Sequence, residues 1–114
     1  MAGCVFCKIV SGEIKADFLY RDEHVVCFRD LKPATPVHFL VAPTRHLQSP
    51  SEVSDADREL IGRMFQATAR VARELGIAGS GYRMAINTGP DAGQEVPHMH
   101  IHVLGGRKFG WPPG

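Results

Sequence analysis

Hydrophobic residues recur along this chain with two different periods. Between Ser54 and Leu75 they fall every three or four residues, which is the spacing of one face of an α-helix. Ser54 suits the N-cap of such a helix, and Gly76 suits its end. The sequence therefore predicts one long helix with this buried face: Leu60, Ile61, Met64, Thr68, Val71, Ala72 and Leu75.

Shorter apolar runs, rich in Val, Ile, Phe and Tyr and bounded by Gly, Pro and Asp, have the character of β-strands. They are EHVVCFRD, VHFLVAP, YRMAIN and HMHIHVL, and Leu19 to Arg21 starts a further strand. The connections KPATP and TGPDAGQEVP are short, which favours antiparallel neighbours. The pattern predicts an α+β fold, with an antiparallel sheet of about five strands, the long helix across it and a short helical segment in CVFCKIVSG.

The chain length of 114 residues suits one domain, and no repeat or linker divides it. We therefore expect a single domain over 1–114. The closing residues 106–114 include GWPPG, whose prolines and glycines disfavour regular structure. An extended tail is expected there, held down, if at all, by Trp111.

Composition and charge exclude several classes of protein. Hydrophobic residues make up 44% and charged residues 22%, as in ordinary globular domains. The net charge of +1, with no basic run, argues against nucleic-acid binding. No apolar run is long enough for a membrane span, and MAGCVFCKIV lacks the features of a signal peptide. A cytoplasmic protein without membrane or nucleic-acid partners is expected.

The three cysteines are an odd count, which argues against a disulfide framework. Cys4 and Cys7 form a Cys-x-x-Cys pair and are better considered as thiolates for metal or redox work. Cys27 lies in the alternating run HVVCF and is expected to pack as a small hydrophobe.

The stretch HMHIHVLGG places histidine at every second position three times in succession. On a strand, alternate residues share a face, so Met99, Ile101 and Val103 would meet the helix while the histidines face the other way. Two chemistries fit this pattern. The imidazoles of His98, His100 and His102 could bind a catalytic metal, or a neutral middle imidazole could attack phosphorus as a nucleophile.

Nucleophilic attack on phosphorus needs donors for the phosphate oxygens, and the loop GPDAGQEV can supply them. Gly93 permits close backbone approach, and Gln94, Glu95 and Val96 can present successive N–H groups as an anion nest. Asn87, on the preceding strand, could add a side-chain donor. The alternative is a flexible connection whose glycines serve only the turn.

Four segments of the chain together resemble the histidine triad family. GQEVPHMHIHVLGGR resembles its His-x-His-x-His signature, FRDLKPATPVHFLVAP its ribose and base segment, and GYRMAINTG its asparagine strand. GRKFGWPPG resembles the tail of the branch called histidine triad nucleotide-binding proteins. The resemblance implies an antiparallel sheet with one long helix, in a homodimer whose sheets join.

The resemblance also implies roles for individual residues. His100 matches the nucleophile that takes a nucleoside monophosphate from its substrate and gives it to water. His102 matches a partner that contacts the phosphate, and His38 a further histidine of the network. The family's phosphate-binding positions fall on Asn87, Gly93, Gln94, Glu95 and Val96. Many eukaryotic relatives carry serine at position 95, so at this position only the backbone N–H matches.

The nucleoside would occupy a second set of matching positions. Asp30 matches the carboxylate that accepts hydrogen bonds from both ribose hydroxyls, a task for a group with two acceptor oxygens. An Asx turn opening LKPATP is its alternative role, and the two are compatible. The apolar slot for the base would be lined by Phe6, Ile9, Phe28 and Leu31.

A Cys-x-x-Cys pair alone is a weak metal signal and could also be a redox motif. The resemblance to prokaryotic-type members and related nucleotidyltransferases implies a zinc bound by Cys4, Cys7, His46 and His98. Alternate residues of a strand lie about 6.6 Å apart, whereas a zinc–oxygen bond is about 2 Å, so metal on His98 need not reach phosphorus at His100. Structural zinc is expected.

The leading hypothesis is a hydrolase that cleaves nucleoside 5′-phosphoramidates or acyl-nucleotides, derived from AMP or GMP, through a covalent nucleotidyl-His100. A diadenosine polyphosphate hydrolase and a zinc-stabilised nucleotide-binding module with little catalysis are alternatives. A zinc hydrolase with metal on all three histidines is another. A nucleotidyltransferase fits less well, because that branch resembles a His-x-His-x-Gln pattern and the third position here is His102.

Overall fold

The computed structural model describes residues 3–114, so the first two residues of the predicted 1–114 domain lie outside this range. Its centre is one five-stranded antiparallel sheet. The strands are β1 (Phe18–Arg21), β2 (Val25–Arg29), β3 (Val37–Pro43), β4 (Tyr82–Ala85) and β5 (Ile101–Gly105), in the order β1-β2-β3-β5-β4. The helices are α1 (Val5–Ser11) and α2 (Arg58–Glu74). The predicted α+β fold, with five strands, one long helix and one short one, is confirmed.

Strand alternation sends two sets of apolar side chains to opposite faces of the sheet. On one face, Cys27 and Phe39 pack with Met64 and Val71 of α2, and all four are almost wholly buried. Burial raises the pKa of the Cys27 thiol to about 12, so the thiol stays protonated and apolar in character. The expectation that Cys27 packs as a small hydrophobe is confirmed.

The short helix α1 covers the opposite face of the sheet. Its Phe6 and Ile9 pack against Phe28 and Leu40, which alternate with the residues that face α2. The thiol of Cys4 caps the helix, since its Sγ accepts the Cys7 N–H at 3.3 Å. His98 and His100, which precede β5, lie against Phe6 of α1 and are therefore buried on this face of the sheet.

The α-helix begins later than predicted. Ser54 was expected to cap it, but a 3-10 turn over Asp55–Asp57 comes first and α2 starts at Arg58. The reason is the Asp57 carboxylate, which accepts the Ser54 N–H at 2.9 Å and pairs with Arg45, so it holds the tighter turn in place.

The histidine segment is a strand only in its second half. β5 begins at Ile101, so His98 and His100 precede it. β3 ends opposite this point at Pro43, which has no N–H to continue the ladder, and the Met99 N–H donates to the Leu47 carbonyl instead. Alternation nevertheless persists, since Met99, Ile101 and Val103 all join the core under α2, as predicted.

Residues 106–114, where an extended tail was predicted, form no helix or strand. Trp111 does not hold the tail by burial, because it is 80% exposed. Arg83 contacts the tail instead: it donates to the Gly110 carbonyl at 3.1 Å and lies over the ring of Phe109. No helix within residues 3–114 is both long and apolar enough to cross a membrane.

Candidate functional site

A cavity of about 370 Å³ opens between α1, the end of β2, the 88–97 loop and the residues around β5. Most predicted nucleotide-binding positions line it: Phe6, Ile9, Phe28, Asp30, Leu31, Asn87, Gly93, Glu95, Val96, His100 and His102. Two predicted residues, Gln94 and His38, do not. The fold thus gathers residues from five separate stretches of sequence around one space.

Aromatic rings form the apolar wall of the cavity. The ring of Phe6 meets Phe28 edge-on, with centroids 5.4 Å apart, and meets His100 at 4.9 Å. Leu31 was expected in the same slot, but it is 93% exposed and stands at the rim, because it follows the end of β2 in the turn to β3. The wall therefore rests on Phe6, Ile9 and Phe28.

His100 has a fixed proton arrangement. Its Nδ1 lies 2.7 Å from the carbonyl oxygen of His98, and a carbonyl can only accept, so Nδ1 carries the proton. Nε2 is then the nitrogen with a free lone pair. Burial lowers the pKa of His100, which keeps the ring neutral at pH 7. Together these features give the properties of a nucleophilic imidazole.

A chain of hydrogen bonds orients His102. The Ala34 N–H donates to Nδ1 of His38 at 3.0 Å, so the proton of neutral His38 is on Nε2. That proton faces Nδ1 of His102 at 2.9 Å, with a carboxylate oxygen of Asp30 at 3.5 Å. Nδ1 of His102 thus accepts, and its Nε2–H remains as a donor. His38 therefore positions His102 from behind the cavity wall.

Asp30 divides its two oxygens between structure and cavity. One accepts the Lys32 N–H at 2.8 Å, which is the Asx turn that the sequence suggested. The other lies beside His38, and the side chain is only partly buried. Both oxygens retain acceptor capacity for a diol, because a carboxylate oxygen has two lone pairs.

Gln94 braces the 88–97 loop. Its N–H, expected among the phosphate donors, already donates to the Gly89 carbonyl at 3.1 Å, and the Gly93 N–H donates to Pro90 at 3.0 Å. The Gln94 side chain accepts from the Gly89 N–H and donates to the carbonyls of Gln48 and Val96. The anion nest expected over 94–96 therefore lacks its first donor in this conformation.

The four predicted metal ligands form a separate cluster. Cys4 Sγ lies 3.3 Å from His98 Nδ1, and Cys7 Sγ lies 3.6 Å from it and 3.4 Å from His46 Nδ1. The Nε2–H of His98 donates to the Pro43 carbonyl at 2.8 Å, so its Nδ1 presents a lone pair to the sulfurs. All four ligand atoms lie within 4.8 Å of one another, and this cluster could hold a metal ion.

The three histidines thus have three different neighbourhoods. His98 faces the cysteines and is wholly buried, His100 lines the cavity, and His102 joins the His38 chain. A single metal on all three imidazoles does not match this arrangement. Asp30, His38 and His102 also lie close enough for a metal, but the Ala34 N–H holds the lone pair of His38 Nδ1 and leaves a proton on Nε2.

Comparisons with known proteins show the family and the fold of this chain. The model of the family described as the HIT domain matches residues 11–109. The chain belongs to the HIT domain family. An uncharacterised HIT-like protein of Synechococcus elongatus is 43% identical over 96% of both chains. The HIT family hydrolase structures of Legionella pneumophila and Clostridium thermocellum are each 40% identical, with TM-scores of 0.96 and 0.95; they cover 98% and 96% of this chain, and it covers 100% and 96% of theirs.

The HIT domain fold also brings residues to the cavity that the sequence motifs did not indicate: Val5, Ile14, Lys15, Ala16, Arg29 and Leu40. Leu40 follows from alternation, because it shares a face of β3 with His38. Residues 14–16 reach the cavity because the chain turns back after α1, where the Ile14 N–H donates to the Lys8 carbonyl. Nothing in the local sequence indicates that return.

Proposed function

We propose that this HIT-family protein is a hydrolase of the histidine triad nucleotide-binding branch. Its substrates would be nucleoside 5′-phosphoramidates or acyl-nucleotides of AMP or GMP. The observation that carries the proposal is the hydrogen bond from His100 Nδ1 to the His98 carbonyl, which leaves Nε2 free on a residue that lines the cavity. The hydrolase names of two similar structures support it at a coarser level.

In the first step, the Nε2 lone pair of His100 attacks phosphorus and the bond to the leaving group breaks. The leaving nitrogen or oxygen takes the bonding electron pair, and a leaving nitrogen also takes up a proton from solvent water. His100 becomes a nucleotidyl-imidazolium, whose Nδ1–H bond to the His98 carbonyl strengthens as the ring gains positive charge. The covalent intermediate is therefore stabilised by a bond that already exists in the resting protein.

In the second step, water attacks phosphorus and releases one proton to solvent, the P–N bond to His100 breaks with its electron pair returning to Nε2, and the nucleoside monophosphate leaves with the neutral ring restored. The Nε2–H of His102 and the amide of Asn87 would hold the phosphate oxygens through both steps. Asp30 would hold the ribose, and the wall of Phe6, Ile9 and Phe28 would take the purine.

The metal cluster fits structural zinc. Sulfur and nitrogen ligands of a tetrahedral zinc stand about 3.5 Å apart, and the sulfur–nitrogen pairs named above have separations of 3.3, 3.4 and 3.6 Å. Cys4, Cys7, His46 and His98 would fill all four positions, so zinc would supply folding stability and no open site for substrate. Thiolate ligands suit a reducing compartment, in line with the expected cytoplasmic location.

The test is intact-protein mass spectrometry after brief mixing with adenosine 5′-phosphoramidate. Wild type should gain the mass of one adenylyl group, and His100→Ala should gain none and lose at least 100-fold in turnover. His24→Ala, which removes a histidine on the turn between β1 and β2, is the control and should behave as wild type. Turnover that survives in His100→Ala would contradict the covalent mechanism.

We also propose a homodimer joined through its sheets, as the resemblance implies. The strand order leaves β1 and β4 as the edges of the sheet. The register of β1 shifts between Phe18 and Tyr20, and such bulges discourage edge pairing. The pairing of β4 with β5 is regular, and Ile86 just beyond β4 is 40% exposed. β4 is therefore the better edge for a second copy.

A further inference from the structure

Glu95 is an unusual residue for an anion site. It lines the cavity together with His100 and His102, and within residues 3–114 it forms no ion pair. Other acidic residues of the chain do pair, as Asp17 does with Arg29 and Glu59 with Arg63. A free carboxylate thus faces the space in which a phosphate would bind.

The charge of the Glu95 carboxylate acts on the imidazole of His102. Its charge is one of the influences that raise the pKa of His102, against the larger lowering by burial. The same negative charge would repel the negative charge of a bound phosphate. A substrate that carries positive charge beyond its phosphate would remove that penalty.

The positions along the cavity indicate which part of a substrate meets Glu95. The apolar wall comes from α1 and β2, and Asp30 follows directly after β2. The 88–97 loop instead contributes Gly93, Glu95 and Val96 beside the imidazoles. With base and ribose on the first set, the group on the far side of the phosphate lies toward the loop. That group is the leaving group.

We propose that Glu95 makes this protein selective for nucleoside phosphoramidates whose leaving amine carries a second, protonated amino group, as an alkyl diamine does. The inference rests on the proposed hydrolase function and names its substrate class. The chemistry is unchanged: the His100–phosphorus bond forms, the P–N bond breaks, and the amine leaves with the electron pair and a proton from water. Glu95 contributes charge and transfers no proton.

Two cationic residues also line the cavity, and neither cancels Glu95. Arg29 is paired with Asp17 at 3.1 Å. Lys15 comes from the segment that follows α1, on the side of the apolar wall. Asp30 also acts on the imidazoles, but it follows β2 on the ribose side of the cavity, so the carboxylate on the leaving-group side is that of Glu95.

The effect of Glu95 on selectivity should be small, because its side chain is exposed to solvent. Unit charges a few ångströms apart in water interact weakly, so selectivity of about 2- to 5-fold per charge is expected. Because Glu95 is exposed, salt should screen the interaction and reduce the selectivity.

The experiment compares kcat/KM for three AMP phosphoramidates of similar size, with aminoethyl (cationic), propyl (neutral) and carboxymethyl (anionic) leaving amines. Wild type should prefer them in that order. Glu95→Gln should reduce the cationic-to-anionic ratio about 5-fold or more, and high salt should move wild type toward the same ratio. Asp91→Asn removes an exposed acid of the same loop that does not line the cavity, and it should keep the wild-type ratio.

The outcomes distinguish the inference about Glu95 from the proposed hydrolase function. If wild type turns over the three substrates but Glu95→Gln leaves the ratio unchanged, the inference about Glu95 is wrong and the hydrolase proposal stands. A wild type that prefers the anionic substrate also overturns it. If wild type turns over none of the three, the phosphoramidase function itself fails, and the inference fails with it.

Discussion

At the scale of single residues, backbone carbonyls decide which nitrogen of each imidazole can react. The His98 carbonyl holds the proton of His100 on Nδ1, and the Pro43 carbonyl holds the proton of His98 on Nε2. The two rings are two residues apart and have opposite tautomers, so one offers Nε2 to the cavity and the other offers Nδ1 to the cysteines.

The strand pattern placed all three histidines on one face, but could not assign these partners. Alternation depends only on the backbone period, whereas a tautomer depends on carbonyls that tertiary packing brings near. The different surroundings of His98 and His100 were therefore predictable only through the family resemblance. The brace formed by Gln94 was missed for a similar reason, since its partner on Gln48 is 46 residues away.

Because His100 is buried, we predict that its ring stays neutral at a lower pH than an ordinary imidazole does. An imidazole ordinarily titrates near pH 6.5, and burial disfavours the charged form, so the pKa of His100 should lie below that value. The ring would then be neutral at pH 6.5, and would protonate only as the pH falls further. NMR titration of the ring proton, assigned with His100→Ala, measures the midpoint.

The ring of Phe6 offers a check on the cause. It packs at 4.9 Å from His100, so Phe6→Ala should admit water and raise the midpoint toward 6.5. A wild-type midpoint at or above 6.5 would show that burial does not control this imidazole.

At the scale of elements, α1 is too short to be stable alone. Isolated helices of fewer than about 12 residues are marginal in water, and α1 has seven. Its Cys4 cap, the packing of Phe6 and Ile9, and the contacts of Cys4 and Cys7 with His98 and His46 hold it against the sheet. Since Phe6 lies between Cys4 and Cys7, the same attachments also position the apolar wall of the cavity.

Metal removal should therefore destabilise the protein. Treatment with a strong chelator is expected to lower the Tm by about 10 °C, because the loss of a few kcal/mol has that effect in a small domain. Cys4→Ser should show the low Tm without chelator and should bind less zinc when metal content is measured.

Cys27→Ala is the control for thiol loss. Cys27 packs on the α2 face of the sheet, away from the cluster, so this variant should keep both its zinc and its response to chelator. A purified wild-type protein without zinc, whose Tm ignores the chelator, would remove the proposed metal role.

The sequence predicted the elements well where one local pattern decides them. The period of α2 and the alternation of β2 and β3 are such cases. Boundaries were less predictable because single contacts set them. Asp57 delays the start of α2, Pro43 ends the ladder opposite Met99, and Arg83 contacts a tail whose Trp111 stays exposed.

At the scale of the whole molecule, β4 is the edge of the sheet that is better suited to pair with a second copy of the chain. β4 is a regular edge strand, and an isologous pair would set it antiparallel to its own copy and continue the hydrogen bonding across both sheets. Ile86 follows β4 directly and is 40% exposed, so apolar surface lies beside this edge. A dimer through β4 would cover groups that otherwise face water.

Light scattering coupled to size-exclusion chromatography tests this arrangement. The chain mass is 12.5 kDa, and a dimer at micromolar concentration should give twice that value. Ile86→Asp places a charge beside the β4 edge and should shift the mass toward the monomer, because an unpaired charge resists burial. Phe18→Asp is unsuitable as a control because it would disturb the core. Arg58→Asp, an exposed change at the start of α2, is the control instead and should leave the mass unchanged. A mass of 12.5 kDa for wild type across the concentration range would exclude the dimer.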